Sequence, residues 1–227
     1  MERDRAVDRL EALVDRVERE PMPVPVREVW AFGDVALGLD PIERLDVYLT
    51  KDVIMGGDAE AAAEFEAAYG IKGVGTSVNA EWAEAHPDRV RASDNGYAAP
   101  EKCLAAELVG SEGQSPSGSR ANPDDEPIHL EVCNASFEDN VRQRLKGALA
   151  RDAYEEVLDP RGVCLWVDGT RDEEAFDRLR DASLAMPTLA DALGMLGADE
   201  EVATAAAETL AARRAEQEGA SVRGDMV

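Results

Sequence analysis

The sequence predicts an α/β (or α+β) fold, with a mixed sheet of about four strands, flanking helices and a C-terminal helical extension. Three segments alternate apolar and polar residues, as half-buried strands do, and a fourth is a short, mostly apolar segment that ends at a glycine. Most of the segments between them repeat apolar residues at helical spacing. A length of 227 residues and a hydrophobic content of 44% are enough for one domain, or one and a half, with a buried core.

The first two strands follow an N-terminal helix. Residues 2–20 have a single apolar stripe at helical spacing, and three prolines directly after them end the helix. Residues 26–32 form the first predicted strand, and a turn follows at 38–41. Residues 44–51 form the second strand, whose polar face includes Asp46.

The middle of the chain is predicted to be helical and interrupted by glycines. Helices are expected from 58 to about 69, over 79–86 and over 100–108, with a glycine-rich turn at 70–75. Residues 110–126 are rich in Gly, Ser and Pro, which indicates a flexible surface loop. A catalytic lid is the alternative interpretation of that loop.

The second half contains two further strands, 128–133 and 163–168, with a helix capped by Ser136 between them. Thr170 and Glu173 have the spacing of a capping box for the next helix, which Pro187 ends. Helices are then expected over 188–196 and 199–217. We therefore predict an α/β core over 1–186 and C-terminal helices with a tail over 187–227.

The charge composition indicates the solvent in which the protein works. The formal net charge is −24, and of 24 basic residues four are Lys and twenty are Arg. Such an acidic, lysine-poor surface is typical of cytoplasmic proteins of salt-accumulating halophiles, where molar salt screens the repulsion between carboxylates. It disfavours nucleic acid and anionic membranes as partners. Three widely spaced cysteines and the absence of an apolar leader also favour the cytoplasm.

Residues 2–50 resemble the opening of the minimal nucleotidyltransferase (polymerase-β-like) family. In that family a helix precedes a strand that ends at a glycine turn, and an Asp-x-Asp strand follows. Here the turn glycines are Gly33 and Gly38, and Asp46 takes the first aspartate position. The resemblance implies nucleotide binding at Gly33, Asp34 and Gly38. It also implies Mg²⁺ held by Asp46 and by a third carboxylate, for which Glu131 is the candidate. Asp46 and Glu131 are likewise the candidate catalytic residues.

Three positions depart from that family's pattern. Asp34 replaces its serine, Leu37 replaces its basic residue, and Tyr48 replaces its second aspartate. An aspartate repels phosphate, and tyrosine is a poor ligand for Mg²⁺. We therefore expect a catalytically degenerate core that binds a nucleotide. Two alternatives remain. One is an active transferase, and the other is that these residues are ordinary turn and strand residues of an α/β fold. In the last of these, Asp46 is a solvent-facing strand residue and the glycines only make a turn. The geometry that decides is whether the carboxylates of Asp46 and Glu131 converge within reach of one ion beside the Gly33–Gly38 turn, which requires that their strands are neighbours.

Two other patterns have functional and structural interpretations. Residues 71–75 resemble the hairpin of helix-hairpin-helix modules, which bind a DNA phosphate, although a structural connection between helices is favoured here. His129, Glu131 and Cys133 share one strand face, so a transition-metal site or a Cys133–His129 dyad is conceivable. Neighbours on one face of a strand lie about 7 Å apart, so a polar sheet face is favoured over chelation.

The alternative function is a non-enzymatic interaction or structural protein with a protein partner or a second copy of itself. It would dock through the 71–75 hairpin or the C-terminal helices. The predicted helix over 199–217 is rich in alanine and has a thin apolar stripe formed by Val202, Ala206 and Leu210.

Overall fold

A six-stranded mixed sheet organises the protein. The computed structural model describes residues 1–19, 21–109, 127–216 and 221–224. The strands, in the order β5-β4-β1-β2-β3-β6 across the sheet, have the following bounds in chain order. They are β1 (Val26–Phe32), β2 (Leu45–Lys51), β3 (Ile128–Cys133), β4 (Gly162–Val167), β5 (Thr170–Arg171) and β6 (Ser221–Gly224).

Eight helices surround this sheet in the described part of the chain. They are α1 (Arg3–Val17), α2 (Ala59–Tyr69), α3 (Ala80–Ala85), α4 (Pro100–Leu108), α5 (Phe137–Arg151), α6 (Glu173–Arg180), α7 (Leu189–Met195) and α8 (Glu200–Glu216). The predicted α/β class is confirmed. The predicted 110–126 loop lies outside the described residues.

Strand direction follows from the lengths of the connections. β1 is antiparallel to β2, which it reaches through a short turn, and it is also antiparallel to β4. β2 and β3 are parallel, because the long segment between them returns the chain to the same end of the sheet. β3 and β6 are also parallel. This parallel pair in the middle of the sheet positions the candidate site.

Helices α1, α4 and α6 cover one face of the sheet and form the main hydrophobic core. Leu10 of α1 and Phe176 of α6 pack with inward-facing strand residues such as Val47 and Leu130. The alternation of apolar residues that predicted the strands supplies this face. Full burial of side chains of this size stabilises the fold by roughly 1.5–3 kcal/mol each.

Helix α5 covers the opposite face, which contains the polar residues of the central strands. The ring of Phe137 stacks on Trp30 with centroids 4.7 Å apart and meets the edge of Tyr48 at 5.3 Å. Ser136 caps α5 as predicted, since its side chain accepts a hydrogen bond from the backbone N–H of Asp139. An aromatic cluster thus fixes α5 over one half of this face.

The helices α7 and α8 pack on their own chain. Ala203, Ala206 and Leu210 of α8 are buried against Leu145 of α5 and Leu193 of α7. The stripe on which the docking alternative depends is therefore covered within the chain, and it includes Ala203 where Val202 was predicted.

The sequence interpretation of Thr170 was wrong. Thr170 and Arg171 form β5, which pairs with the end of β4 across a two-residue turn. Asp168 and Gly169 in that turn have φ values of 43° and 85°, as a tight hairpin of this kind requires. Asp172 instead caps α6, accepting a hydrogen bond from the backbone N–H of Ala175.

The 71–75 segment connects α2 and α3 in a small cluster of its own around the buried Trp82. The backbone N–H of Gly75 donates to the carbonyl of Val78 at 2.6 Å, within the turn. An amide used in this way does not point at a phosphate. The structural interpretation of this segment therefore agrees with its hydrogen bonding.

Candidate functional site

The parallel register of β2 and β3 brings the predicted site residues together. Asp46 lies opposite His129, and Tyr48 lies opposite Glu131. Paired residues of adjacent strands point to the same face of a sheet, so all four side chains share the face that α5 partly covers. Asp46 and Glu131 thus lie on neighbouring strands, which the predicted metal site requires but which does not by itself bring the two carboxylates within reach of one ion.

A cavity of about 100 Å³ is lined by both candidate carboxylates. Asp46, His129 and Glu131 form its sheet side, and Arg44 and Arg144 are also part of its lining. A volume of this size holds a few water molecules at most. We call it the inner cavity.

Asp46 is a buried, ion-paired carboxylate. It is 0% exposed, and its Oδ1 accepts from Nε of Arg44 at 2.7 Å and contacts Nη2 of Arg44 at 2.6 Å. The two residues are two positions apart in an extended segment, which directs both side chains to one face. The interpretation of Asp46 as a solvent-facing strand residue was wrong, because α5, α8 and the segment around Asp159 close over this end of the sheet.

Glu131 is held by an arginine from α5. Its Oε1 accepts from Nη1 of Arg144 at 2.7 Å, and its Oε2 lies 3.2 Å from Nε2 of His129. Arg144 also donates through Nε to the carbonyl of Glu156 at 2.7 Å. Arg144 is seven residues after the buried Phe137, so it lies on the sheet-facing side of the helix. The hydrogen bond between His129 and Glu131 agrees with the polar sheet face that their spacing favoured over chelation.

Tyr48, which lies where the sequence resemblance implies a second aspartate, is buried and hydrogen-bonded. It is 0% exposed, and its hydroxyl donates to the carbonyl of Ala135 at 2.8 Å. Burial raises the pKa of Tyr48 well above its ordinary value. The phenol is therefore a neutral donor committed to a backbone carbonyl.

These residues do not fit a magnesium site. Mg²⁺ requires several hard oxygen ligands in near-octahedral geometry. Both carboxylates of the inner cavity already accept from guanidinium groups, and Tyr48 is turned to a carbonyl. Among the described residues, no group of three His, Cys, Asp or Glu side chains could hold a metal ion.

The turn between β1 and β2 has the backbone geometry expected from its glycines. Gly33 and Gly38 have φ values of 70° and 74°, so the prediction that they make a turn is confirmed. Asp34 is only 8% exposed, and its Oδ2 accepts from the backbone N–H groups of Glu43 and Arg44 at 3.1 and 3.4 Å. The carboxylate of Asp34 thus fixes the turn to the start of β2.

A second cavity of about 360 Å³ adjoins the first, and Arg44 and Asp159 line both. We call it the outer cavity, and the two together the cleft. Arg161 forms a fork with Asp159, with Nε donating to Oδ1 at 2.9 Å and Nη2 to Oδ2 at 2.8 Å. The lining of the outer cavity comprises Asp34, Leu37, Leu39, Glu43, Arg44, Asp159, Arg161, Leu189, Ala207 and Ala211.

Sequence reasoning missed the arginines of the cleft. Arg44 and Arg161 each lie two residues from their carboxylate partners, Asp46 and Asp159. An Arg-x-Asp or Asp-x-Arg pair next to a strand is the signal that could have found them. Arg144 gives no such signal, since its partner lies on another element.

A family model matches residues 2–227 of this chain, and it is described as a family of unknown function (DUF7095). The chain belongs to this family. No curated protein and no solved structure matches it. None of the helices in the described part of the chain combines the length and apolar character needed to cross a membrane.

Proposed function

We propose that this protein is a nucleotidyltransferase-like binding protein, which binds a nucleotide-class ligand in the cleft and does not transfer nucleotidyl groups. The observation that carries the proposal is the pairing of each candidate carboxylate with an arginine. Asp46 and Glu131 lie on neighbouring parallel strands beside the glycine turn, but Arg44 and Arg144 supply their counter-charges.

The order of elements supports the nucleotidyltransferase-like part of the proposal. The chain begins with a helix, a strand and a glycine turn. An antiparallel strand with one carboxylate comes next, and a parallel neighbour in the sheet supplies the second carboxylate. This is the arrangement that the resemblance of residues 2–50 implies. The sequence between β2 and β3 adds the small cluster around Trp82 without separating the two strands.

The ion pairs support binding without transfer. Nucleotidyl transfer moves negative charge onto a leaving phosphate, and its stabilisation requires a strong positive charge at that point. In this cleft the carboxylates neutralise the guanidinium groups of Arg44, Arg144 and Arg161, and each pair has at least one donor–acceptor distance of 2.8 Å or less. A fourth arginine of the cleft, Arg213, donates to the backbone carbonyl of Glu155. Because three of these four guanidinium groups are already neutralised by carboxylates, the cleft retains little charge with which to stabilise a developing anion.

The setting that we propose is the salt-rich cytoplasm of a halophile. The net charge of −24, the preference for Arg over Lys and three free thiols support it. The same charge supports the proposal that nucleic acid is not a partner.

Calorimetric titration in molar KCl tests the proposed function. The four ribonucleosides and their triphosphates are titrated into the protein, first with EDTA and then with MgCl₂, and a radiolabelled triphosphate assay measures transfer. We expect at least one of these ligands to bind the protein in the presence of EDTA. Its affinity should not increase when MgCl₂ is added, and no labelled product should form. Arg44→Gln should weaken binding, whereas Arg27→Gln, at an exposed pair outside the cleft, should not. Binding that requires Mg²⁺, formation of labelled product, or no binding by any of these ligands would overturn the proposal.

A further inference from the structure

We infer that the outer cavity recognises the nucleoside part of the ligand and excludes its phosphates. This inference rests on the proposed function and specifies the ligand class of the same cleft. The outer cavity combines apolar walls with carboxylates at a volume of about 360 Å³, within the ~300–1,000 Å³ range of small-molecule sites.

The walls of the outer cavity suit a planar ring. Leu37 and Leu39 come from the turn between β1 and β2, and Leu189, Ala207 and Ala211 come from α7 and α8. Leu39 is 49% exposed, although leucine is usually buried. A flat aromatic ligand between the turn and the two helices would cover this side chain. Small side chains on α8 leave the space that such a ring needs.

The charges of the outer cavity disfavour a phosphate. Its lining includes three carboxylates, from Asp34, Glu43 and Asp159, and two guanidinium groups, from Arg44 and Arg161. Arg44 is paired with Asp46, and Arg161 forms its fork with Asp159. A phosphate would have to displace a carboxylate that is already in place, and it would meet the buried charge of Asp34 at the turn.

The same charges suit hydroxyl and amino groups. Carboxylates accept hydrogen bonds from ribose hydroxyls and from the exocyclic amines of bases. Glu43 is exposed at the outer cavity, so a ligand can reach it without breaking a buried pair. The inner cavity is lined by ion-paired side chains and has a volume of about 100 Å³. It is therefore too small for a triphosphate chain.

Comparison of nucleosides with their own triphosphates tests this inference, again in molar KCl with EDTA. We expect the best-binding nucleoside to bind at least about tenfold more tightly than its triphosphate. Leu39→Ala should lower the affinity for the nucleoside by about tenfold, because an apolar contact is lost. Glu43→Gln should lower the same affinity by about fivefold, because the hydrogen-bond acceptor loses its charge. Met55→Ala, at another exposed apolar side chain beyond the opposite end of β2, is the matched control and should have no effect.

The outcomes distinguish failure of this inference from failure of the proposed function. If a triphosphate binds more tightly than its nucleoside, phosphate recognition is present and the inference is wrong, while the proposed function stands. If a nucleoside binds but Leu39→Ala and Glu43→Gln leave its affinity unchanged, the outer cavity is not the site and the inference is also wrong. If neither nucleosides nor nucleotides bind, both proposals are wrong. Both substitutions lie at exposed positions, so loss of folding does not obscure the result.

Discussion

Removal of the guanidinium that pairs with Asp46 tests the site geometry most directly. In Arg44→Gln, a carboxylate with 0% exposure loses contacts of 2.7 and 2.6 Å to Nε and Nη2. Two unit charges about 4 Å apart attract by about 4 kcal/mol at an effective dielectric constant of about 20. Removal of one partner from a buried pair costs about 3–5 kcal/mol. We therefore expect the free energy of unfolding to fall by this amount, a large share of the roughly 5–15 kcal/mol of a typical domain.

Urea unfolding in molar KCl, followed by tryptophan fluorescence, measures this loss. Arg27→Gln is the matched control, because Arg27 and Asp52 are 3.7 Å apart and both side chains are 49% exposed. Exposed pairs contribute about 0–1 kcal/mol. The double variant R44M/D46L removes both charges, so its free energy of unfolding should fall by less than that of R44M alone. Equal and small losses in Arg44→Gln and Arg27→Gln would refute the burial and pairing of Asp46.

Three further predictions concern acid, backbone strain and salt. Burial alone would raise the pKa of Glu107, but hydrogen bonds from Arg89, Trp82 and Arg16 outweigh it and lower the pKa. The stability that Glu107 contributes is therefore lost as pH falls below about 4.5, its ordinary value, and Glu107→Gln should show a shallower acid loss in a urea series. Gly75→Ala should lower the free energy of unfolding by more than Gly70→Ala, which should lower it by ~1 kcal/mol. The added Cβ at residue 75 would lie 2.8 Å from the Asp58 carbonyl oxygen, whereas at Gly70 nothing lies within 4 Å, and thermal unfolding measures the difference. The melting temperature should rise steadily from dilute buffer to molar KCl, because screening relieves the net charge of −24, and a flat profile would contradict salt adaptation.

The ion pairs explain how a sheet face can be polar and buried at once. Asp46, Glu131 and Asp159 are each less than 10% exposed, and each meets an arginine. A buried carboxylate without such a partner would be costly. Arginine suits this role better than lysine because its planar group donates two parallel hydrogen bonds. The arginine-rich composition therefore has a structural use inside the protein as well as at its surface.

Periodicity in the sequence determined most of the elements. The apolar stripe of α1 and the alternation in β2, β3 and β4 follow directly from residue spacing, and the observed bounds of these elements and of β1 differ from the predicted ones by a few residues at most. β5 and β6 were missed because strands of two and four residues are too short to show alternation. The Asp168-Gly169 dipeptide is a sequence signal for the β4–β5 hairpin, which the prediction of a capping box at Thr170 and Glu173 did not take into account.

The sequence by itself determined which residues are chemically able to form a site. It identified Asp46 and Glu131 as carboxylates on the polar faces of two strands, and Gly33 and Gly38 as turn residues. The tertiary structure decided that β2 and β3 are parallel neighbours, and that Arg144 from α5 reaches Glu131. Strand pairing and helix docking join residues that are far apart in sequence, so local spacing contains no record of them. For this reason the residue types that suggested a metal site did not reveal that Asp46 and Glu131 each form an ion pair with an arginine.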